Sequence, residues 1–382
     1  TGAGVIFIDE VGSATIAATT ITVVNNTSGT IDIAYFNTDS IDINDGHALA
    51  AIDLNQGVST FSYTATAGNI TATAVNTLTK SLTITAGSGT VALVDLDTTT
   101  GNVAITATGD ITLTSDTAVT TTSGNIDIDS SAGKILTTAA SNTTADLLTA
   151  GGTITLEAST GIADSGSAGL DIDSGTGAVT LVRDGTGLVN VDYSSTDGDA
   201  VTLTITAGGA GNIEYDSEAT GTLTLGAITF TGSGSLTISN QATIAVGAVI
   251  NTTVGATDDL TITAGGTGDI TLADVNNILT TGGGAVTLDA SGDDITVAEA
   301  NGDNGVEILG SGTITLTANV IGASGNHLDL DDATALVLSD TGAGVIFIDE
   351  VGSATIAATT ITVVNNTSGT IDIAYFNTDS ID

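Results

Sequence analysis

The chain has no cysteine, proline, methionine or tryptophan in its 382 residues. Without cysteine there is no disulfide framework, no thiolate metal site and no thiol nucleophile. Only Lys80, Lys134 and Arg183 oppose 44 acidic side chains, giving a formal charge of -41. That excludes nucleic acid as a partner, because binding it needs Lys or Arg to displace counterions from phosphates. An anionic membrane surface is excluded for the same reason. Aromatic residues make up 3% of the chain, so any core is thin and filled by Ile, Val, Leu and Ala. No run approaches the roughly 20 apolar residues that span a bilayer; the longest, ATIAVGAVI at 242–250, is strand-sized. No basic stretch leads into an apolar one, so no signal peptide is expected within these residues.

What is present can fold. Hydrophobic residues reach 41% and mean hydropathy is positive at +0.38, enough apolar surface to outweigh the disordering effect of the charge. The dominant feature is a recurrence. Thr1–Asp42 is spelled again, without one difference in 42 positions, by Thr341–Asp382. The reading is that 1–340 is one full tandem unit and 341–382 the start of the next, continuing the same structure, so that the chain is a window on a longer array.

Inside that unit a shorter rhythm runs throughout: Gly, a small polar residue, then apolar, polar, apolar. It appears as GNVAI from Gly101, GDITL from Gly109, GNIDI from Gly124, GTITL from Gly152, GAVTL from Gly177, GSLTI from Gly234 and GTITL from Gly312. Period-2 alternation predicts half-buried strands, with Ile111 and Leu113 inward and Thr112 and Thr114 outward. The Gly-Asn and Gly-Asp pairs are read as corners that need positive φ. No segment shows a helical period. Strand cores recur after 20 residues from Val91 to Ile111 and from Val286 to Val306, and after 19 from Ile295 to Ile314. The expectation is therefore an all-β parallel β-helix, a β-solenoid with rungs of about 20 residues and no significant helix. A string of β-sandwich domains fits less well, since Trp, Pro and any linker-like shift in composition are missing.

The strands GNVAITATGDITLTS at 101–115, GTITLEAS at 152–159 and GTITLTA at 312–318 resemble the repeats of filamentous-haemagglutinin-type large exoproteins. What the resemblance implies is a right-handed parallel β-helix exported to the bacterial surface, acting as a fibre or adhesin. The expected location is extracellular or on the bacterial cell surface. The expected partners are further units of the same protein, end to end or side by side, with a surface or glycan ligand as the adhesin alternative.

Acidic residues repeat at i, i+2 within strands: Asp95 and Asp97, Asp127 and Asp129, Asp171 and Asp173, Asp329 and Asp331. That spacing is read as two carboxylates on one outward face. Like charges on rungs about 4.8 Å apart repel by roughly 0.9 kcal/mol even at the dielectric of water. High salt or a bridging divalent cation relieves this, and Ca²⁺ suits oxygen ligands of this kind. Asp127, Asp129, Asp171, Asp173, Asp329 and Asp331 are the candidate calcium ligands, although the fold requires no cofactor; the other reading is a solvated acidic face that keeps a β-rich fibre soluble. GGTGDITL at 265–272 resembles a calcium-binding nonapeptide with Asp269 one place early. No enzyme is expected. Asp258–Asp259 and Asp293–Asp294 could be offered as a hydrolytic carboxylate pair, but a sugar cleft wants aromatic platforms and bases that this chain lacks. His47 and His327 are read as exposed corner residues. Outward pairs such as Thr112 and Thr114 or Thr261 and Thr263 resemble an ice-binding face, without recurring once per rung.

Overall fold

Strand Ile126–Ser130, IDIDS, buries Ile126, Ile128 and Ser130 and turns Asp127 and Asp129 outward, the alternation that period 2 demands. The same pattern recurs in VAITA at Val103–Ala107 and LTITA at Leu260–Ala264. The computed structural model describes residues 5–9, 30–34, 40–45, 51–54, 60–65, 69–76, 81–138, 144–163, 169–195, 197–252, 255, 257–273, 278–298, 305–310, 312–331, 333–350, 360–365 and 369–375. Among them every regular element is a β-strand, and no helix is long and apolar enough to cross a membrane. The chain divides into two units, Thr1–Ser195 and Thr196–Asp382.

Each unit is a parallel β-solenoid. In the first, Leu82, Val103, Ile126, Ile154 and Val179 stack in register on one face, all fully buried. Val91, Ile111 and Ile135 form a second ladder. Leu96, Val119 and Leu147 form a third, so each of these rungs has three sides. In the second unit Leu236, Leu260, Val286 and Ile314 likewise stack in register, all fully buried. Each buried Ile or Leu contributes about 1.5–3 kcal/mol by transfer from water, and the backbone ladder leaves few polar groups unsatisfied.

Rungs lie roughly 24 residues apart, longer than the spacing of strand cores suggested. Val91 does pair with Ile111. Val286, however, pairs with Ile314, and Ile295 with Ile270 and Ile321. Only the ladder fixes the strands; the corners absorb loops of different length, as in the 28-residue step from Ile126 to Ile154.

Gly211, before Asn212, has the positive φ expected of a corner (143°), but other recurring glycines do something else. Gly124, Gly152 and Gly177 have ordinary backbone angles; the positive-φ glycines include Gly161, Gly175 and Gly187 instead. A Cβ on Gly152 would lie 2.0 Å from the Gly124 carbonyl oxygen, and one on Gly177 would lie 1.7 Å from that of Gly152. These glycines stack so closely that no side chain fits. Three residues earlier stands a buried hydroxyl that ties the corner. Thr149 Oγ1 donates to the Gly124 carbonyl at 2.9 Å and accepts from the Gly152 N–H at 3.0 Å. Thr98, Ser174 and Thr281 tie their corners by a different bond, donating to the carbonyls of the glycines three residues on, Gly101, Gly177 and Gly284. The Asn or Asp after the glycine reaches the next rung: Asn102 Oδ1 accepts from Asn125 N–H, and Asn125 Oδ1 from Thr153 N–H.

Candidate functional site

The predicted acidic pairs do not share one environment. Asp127 and Asp129 face outward as expected, with Ala104 and Thr155 beside the first and Thr106 and Glu157 beside the second. Burial, then Asp127 and Asp184, hold the Asp129 carboxyl above the usual range, and burial followed by Asp129 and Asp184 does the same to Glu157. Asp171 and Asp329 depart from the outward placement. They are 2% and 1% exposed, and only their companions Asp173 and Asp331 reach the surface. Asp173 works as a turn acceptor, taking the Gly175 N–H at 2.8 Å.

The two buried aspartates mark equivalent corners, one in each unit. GTITLEASTGIADSGSAGLDID at 152–173 and GTITLTANVIGASGNHLDLD at 312–331 are versions of one sequence. Leu147 pairs with Ile172 and Ile308 with Leu330, which sets Asp146 beside Asp171 and Glu307 beside Asp329. The following rung adds Asp192 opposite Asp171, and Asp349 opposite Asp329. Three acids thus stack at each corner. Burial pushes the Asp146 carboxyl up to about 6, with the Thr137 hydroxyl and the Asp171 backbone pulling the other way. In the second unit the Asp329 N–H donates to Glu307 Oε2 at 2.7 Å. His327 there is half-buried rather than exposed: its Nδ1 lies 2.7 Å from Asp349 Oδ1, and its ring stacks on Phe347 at 5.4 Å. His47 lies outside the described residues.

Among the described residues a different group of acids converges. Asp269, Asp293 and Asp294 each bring a carboxylate oxygen within 4.8 Å of the others, all half-buried. Asp269 precedes strand Ile270–Ala273, and the pair sits in Val286–Ala298, where the register shifts between Ala290 and Asp294. That irregularity breaks the alternation that would send consecutive aspartates to opposite faces. Ile270 pairs with Ile295, which places Asp269 beside Asp294, and Asp294 N–H donates to Asp269 Oδ1 at 3.2 Å. Burial first, then Asp293 and Asp269, hold the Asp294 carboxyl above its ordinary range, while the Asn319 amide lowers it. Residues 184–382 contain no Lys or Arg, so neither a lysine nor an arginine of the second unit can neutralise the group. Its chemistry is that of three hard oxygen donors.

The chain matches no protein-family model, no curated protein and no solved structure.

Two further readings can be placed. Asp258 is buried and Asp259 exposed, on opposite faces, and Asp259 Oδ1 accepts from Ala285 N–H as a rung-to-rung tie. Thr237, Thr261, Thr287 and Thr315 stack on four successive rungs, a regularity hidden by the variable corners. The column beside them reads Ser239, Thr263, Asp289 and Thr317, so the face is mixed rather than a uniform threonine array.

Sequence reading found Asp269 and Asp293–Asp294 separately. What joins them is ladder register plus a bulge, and neither has a signature in the chain. The equivalence of the 152–173 and 312–331 corners was open to self-comparison of the sequence.

Proposed function

We propose that this chain is a structural segment of a large secreted repeat protein, forming an extracellular or cell-surface fibre or stalk. The observation that carries the reading is register. Ile6 pairs with Ile31 in one copy of the recurring stretch, and Ile346 pairs with Ile371 in the other, the same partners 340 residues on. A sequence that repeats its ladder without slippage builds length by repetition, and its function is to hold its shape. The outward acids keep such a fibre soluble and discourage lateral sticking. The resemblance to filamentous-haemagglutinin-type exoproteins supports the surface location, and further units of the same protein are the partners the reading requires. Catalysis has no part in it.

The second reading is a calcium-dependent adhesin, favoured by the convergence of Asp269, Asp293 and Asp294. A calcium titration of the chain, followed by thermal melting and by electron microscopy, separates the two. If calcium serves the structure, chelation lowers the melting temperature by a few degrees, and Asp294→Asn removes that response. Unchanged melting and unchanged particles after chelation would remove calcium from any structural role. Saturable binding of a glycan by the chain would replace the fibre reading with the adhesin.

A further inference from the structure

Asp146 and Asp171 are 1% and 2% exposed, and ladder register stacks one on the other. The Asp146 N–H donates to the Asp171 carbonyl at 2.8 Å, so the two side chains leave adjacent rungs, about 4.8 Å apart, in the same direction. Both carboxyls therefore occupy one dry corner.

Neither oxygen of Asp146 makes a hydrogen bond of ordinary geometry. The Thr137 hydroxyl and the Asp171 backbone favour its ionised form, but burial outweighs both and holds the carboxyl up at about 6. The titratable groups that bear on it are acids: Asp116 from the rung beneath, Asp171 above, and Asp192 opposite Asp171 on the rung beyond. Among the described residues the acids that gather three together within reach of one ion are Asp269, Asp293 and Asp294, and neither Asp146 nor Asp171 belongs to that group. What two stacked, buried carboxyls need is a proton.

The equivalent corner of the other unit is relieved by different means. Glu307, one methylene longer than Asp146, accepts the Asp329 N–H at 2.7 Å, and His327 stands against Asp349. The first corner has the shorter acid, and residues 110–195 contain no histidine. It also carries strain. Thr117, at φ 58°, is a β-branched residue in the left-handed region, fastened by its N–H to the Ala145 carbonyl at 3.0 Å. Ala118, next to it, lies in register beneath Asp146.

We propose that Asp146 and Asp171 share one proton, and that this proton is the catch of a pH-sensitive latch in the first unit. While it is held, one carboxyl donates to the other and the strained turn at Thr117 stays closed. When it leaves to water, two buried like charges face each other one rung apart, and the corner relieves them by opening to solvent. The ladders on the other sides of the rung stay paired, so the event is local. Its sign follows from the raised carboxyl: closure is strongest in acid and is lost as pH rises through about 6. The latch goes beyond the fibre reading, which stands or falls without it.

Hydrogen exchange of the full chain, read by mass spectrometry on peptides 115–119 and 145–149, tests it. Exchange is corrected for its intrinsic pH dependence and compared with peptide 306–310 from the second corner. Between pH 5 and pH 8 protection of the first corner should fall about tenfold more than that of the second. Asp146→Asn and Asp171→Asn should each abolish that difference, because either amide stands in for the shared proton. Thr117→Gly should raise protection at pH 8 and leave the pH dependence in place, since glycine accepts the left-handed angle without strain. The unsubstituted chain should also show a protonated-carboxyl infrared band that bleaches as pH passes about 6. A first corner whose protection follows the second at every pH, or a response that survives both asparagine variants, overturns the proposal. So does calcium that restores protection at pH 8, because a cation would then stand where the latch has its proton.

Discussion

The corners at Asp171 and Asp329 are built on the same strand, LDID in one unit and LDLD in the other, with the same burial of the first three residues. Their surroundings differ. Where the first corner has Gly169 against the Asp192 carboxylate, the second has His327 hydrogen-bonded to Asp349 and stacked on Phe347. A Cβ on Gly169 would meet the Asp192 carboxyl carbon at 2.6 Å, so a side chain there would require that carboxylate to move. The difference extends to the next strand, where buried Arg183 and buried Asp340 end VTLVR and ALVLSD. Arg183 Nη1 donates to the Gly187 carbonyl, and Asp340 Oδ1 accepts from the Gly342 N–H, each fastening the turn that follows. The ladder fixes the backbone of both corners, while the charge held inside is free to change sign as long as a turn satisfies it.

The sharpest way to break the likeness is to attack what the corners share. Gly152 and Gly312 occupy the same position, and a Cβ on either lies about as close to a carbonyl oxygen, 2.0 Å from Gly124 and 2.1 Å from Gly284. Gly152→Ala and Gly312→Ala should each cost at least about 2 kcal/mol in urea unfolding. Gly151→Ala, whose Cβ would meet only Thr176 at 4.0 Å, should cost far less. Equal costs at 151 and 152 would remove close stacking as the reason for glycine.

A smaller effect separates the two corners by pH. Asp146 is ordinarily an acid of pKa 3.8 and is raised to about 6 in the fold, chiefly by burial. Between those values the folded chain holds a proton that the unfolded chain has lost. The stabilisation is therefore complete below the unfolded value and disappears as pH rises through about 6. Asp97, Asp129, Glu157 and Asp294 shift in the same direction. Melting temperature should thus climb as pH falls from 8 towards 4. Asp146→Asn should flatten that slope and stabilise the chain at pH 8 by about 1 kcal/mol or more. An unchanged slope would assign the pH response to the surface acids alone.

The least effect is expected at the residue that distinguishes the corners. His327→Ala removes one hydrogen bond and one ring contact at a half-buried site and should cost about 1 kcal/mol. Asp349→Asn should cost less, because the amide keeps an acceptor for the imidazole. A loss of several kcal/mol at His327 would mean that the second corner depends on its imidazole for folding.

Much of this architecture was legible residue by residue. Alternation in IDIDS or VAITA needs only that apolar groups avoid water, and it placed Ile111, Ile126 and Ile154 in the core without reference to any neighbour. The rung length was legible only in part. Val91 to Ile111 is a true ladder step, but Val286 to Val306 counted across a corner of unknown length. The glycine rhythm was visible while its reason was not, because a carbonyl 2.0 Å from a would-be Cβ belongs to residue 124, a full rung away. The acidic pairs were assigned outward by period 2, which Asp127 and Asp129 obey. Asp171 and Asp329 sit inside a corner where consecutive residues are all buried.

By itself the sequence determined the strands, their inward faces, the acidity and the exact recurrence of Thr1–Asp42 at Thr341–Asp382, since each follows from local preference or from identity of the residues. The tertiary structure decided which strands stack. That choice sets the register, and register brings Asp146 to Asp171, His327 to Asp349 and, with the bulge before Asp294, Asp269 to Asp293 and Asp294. The physical reason is that a parallel ladder joins residues more than twenty positions apart through corners whose lengths vary, so neighbours in space leave no fixed spacing in the chain.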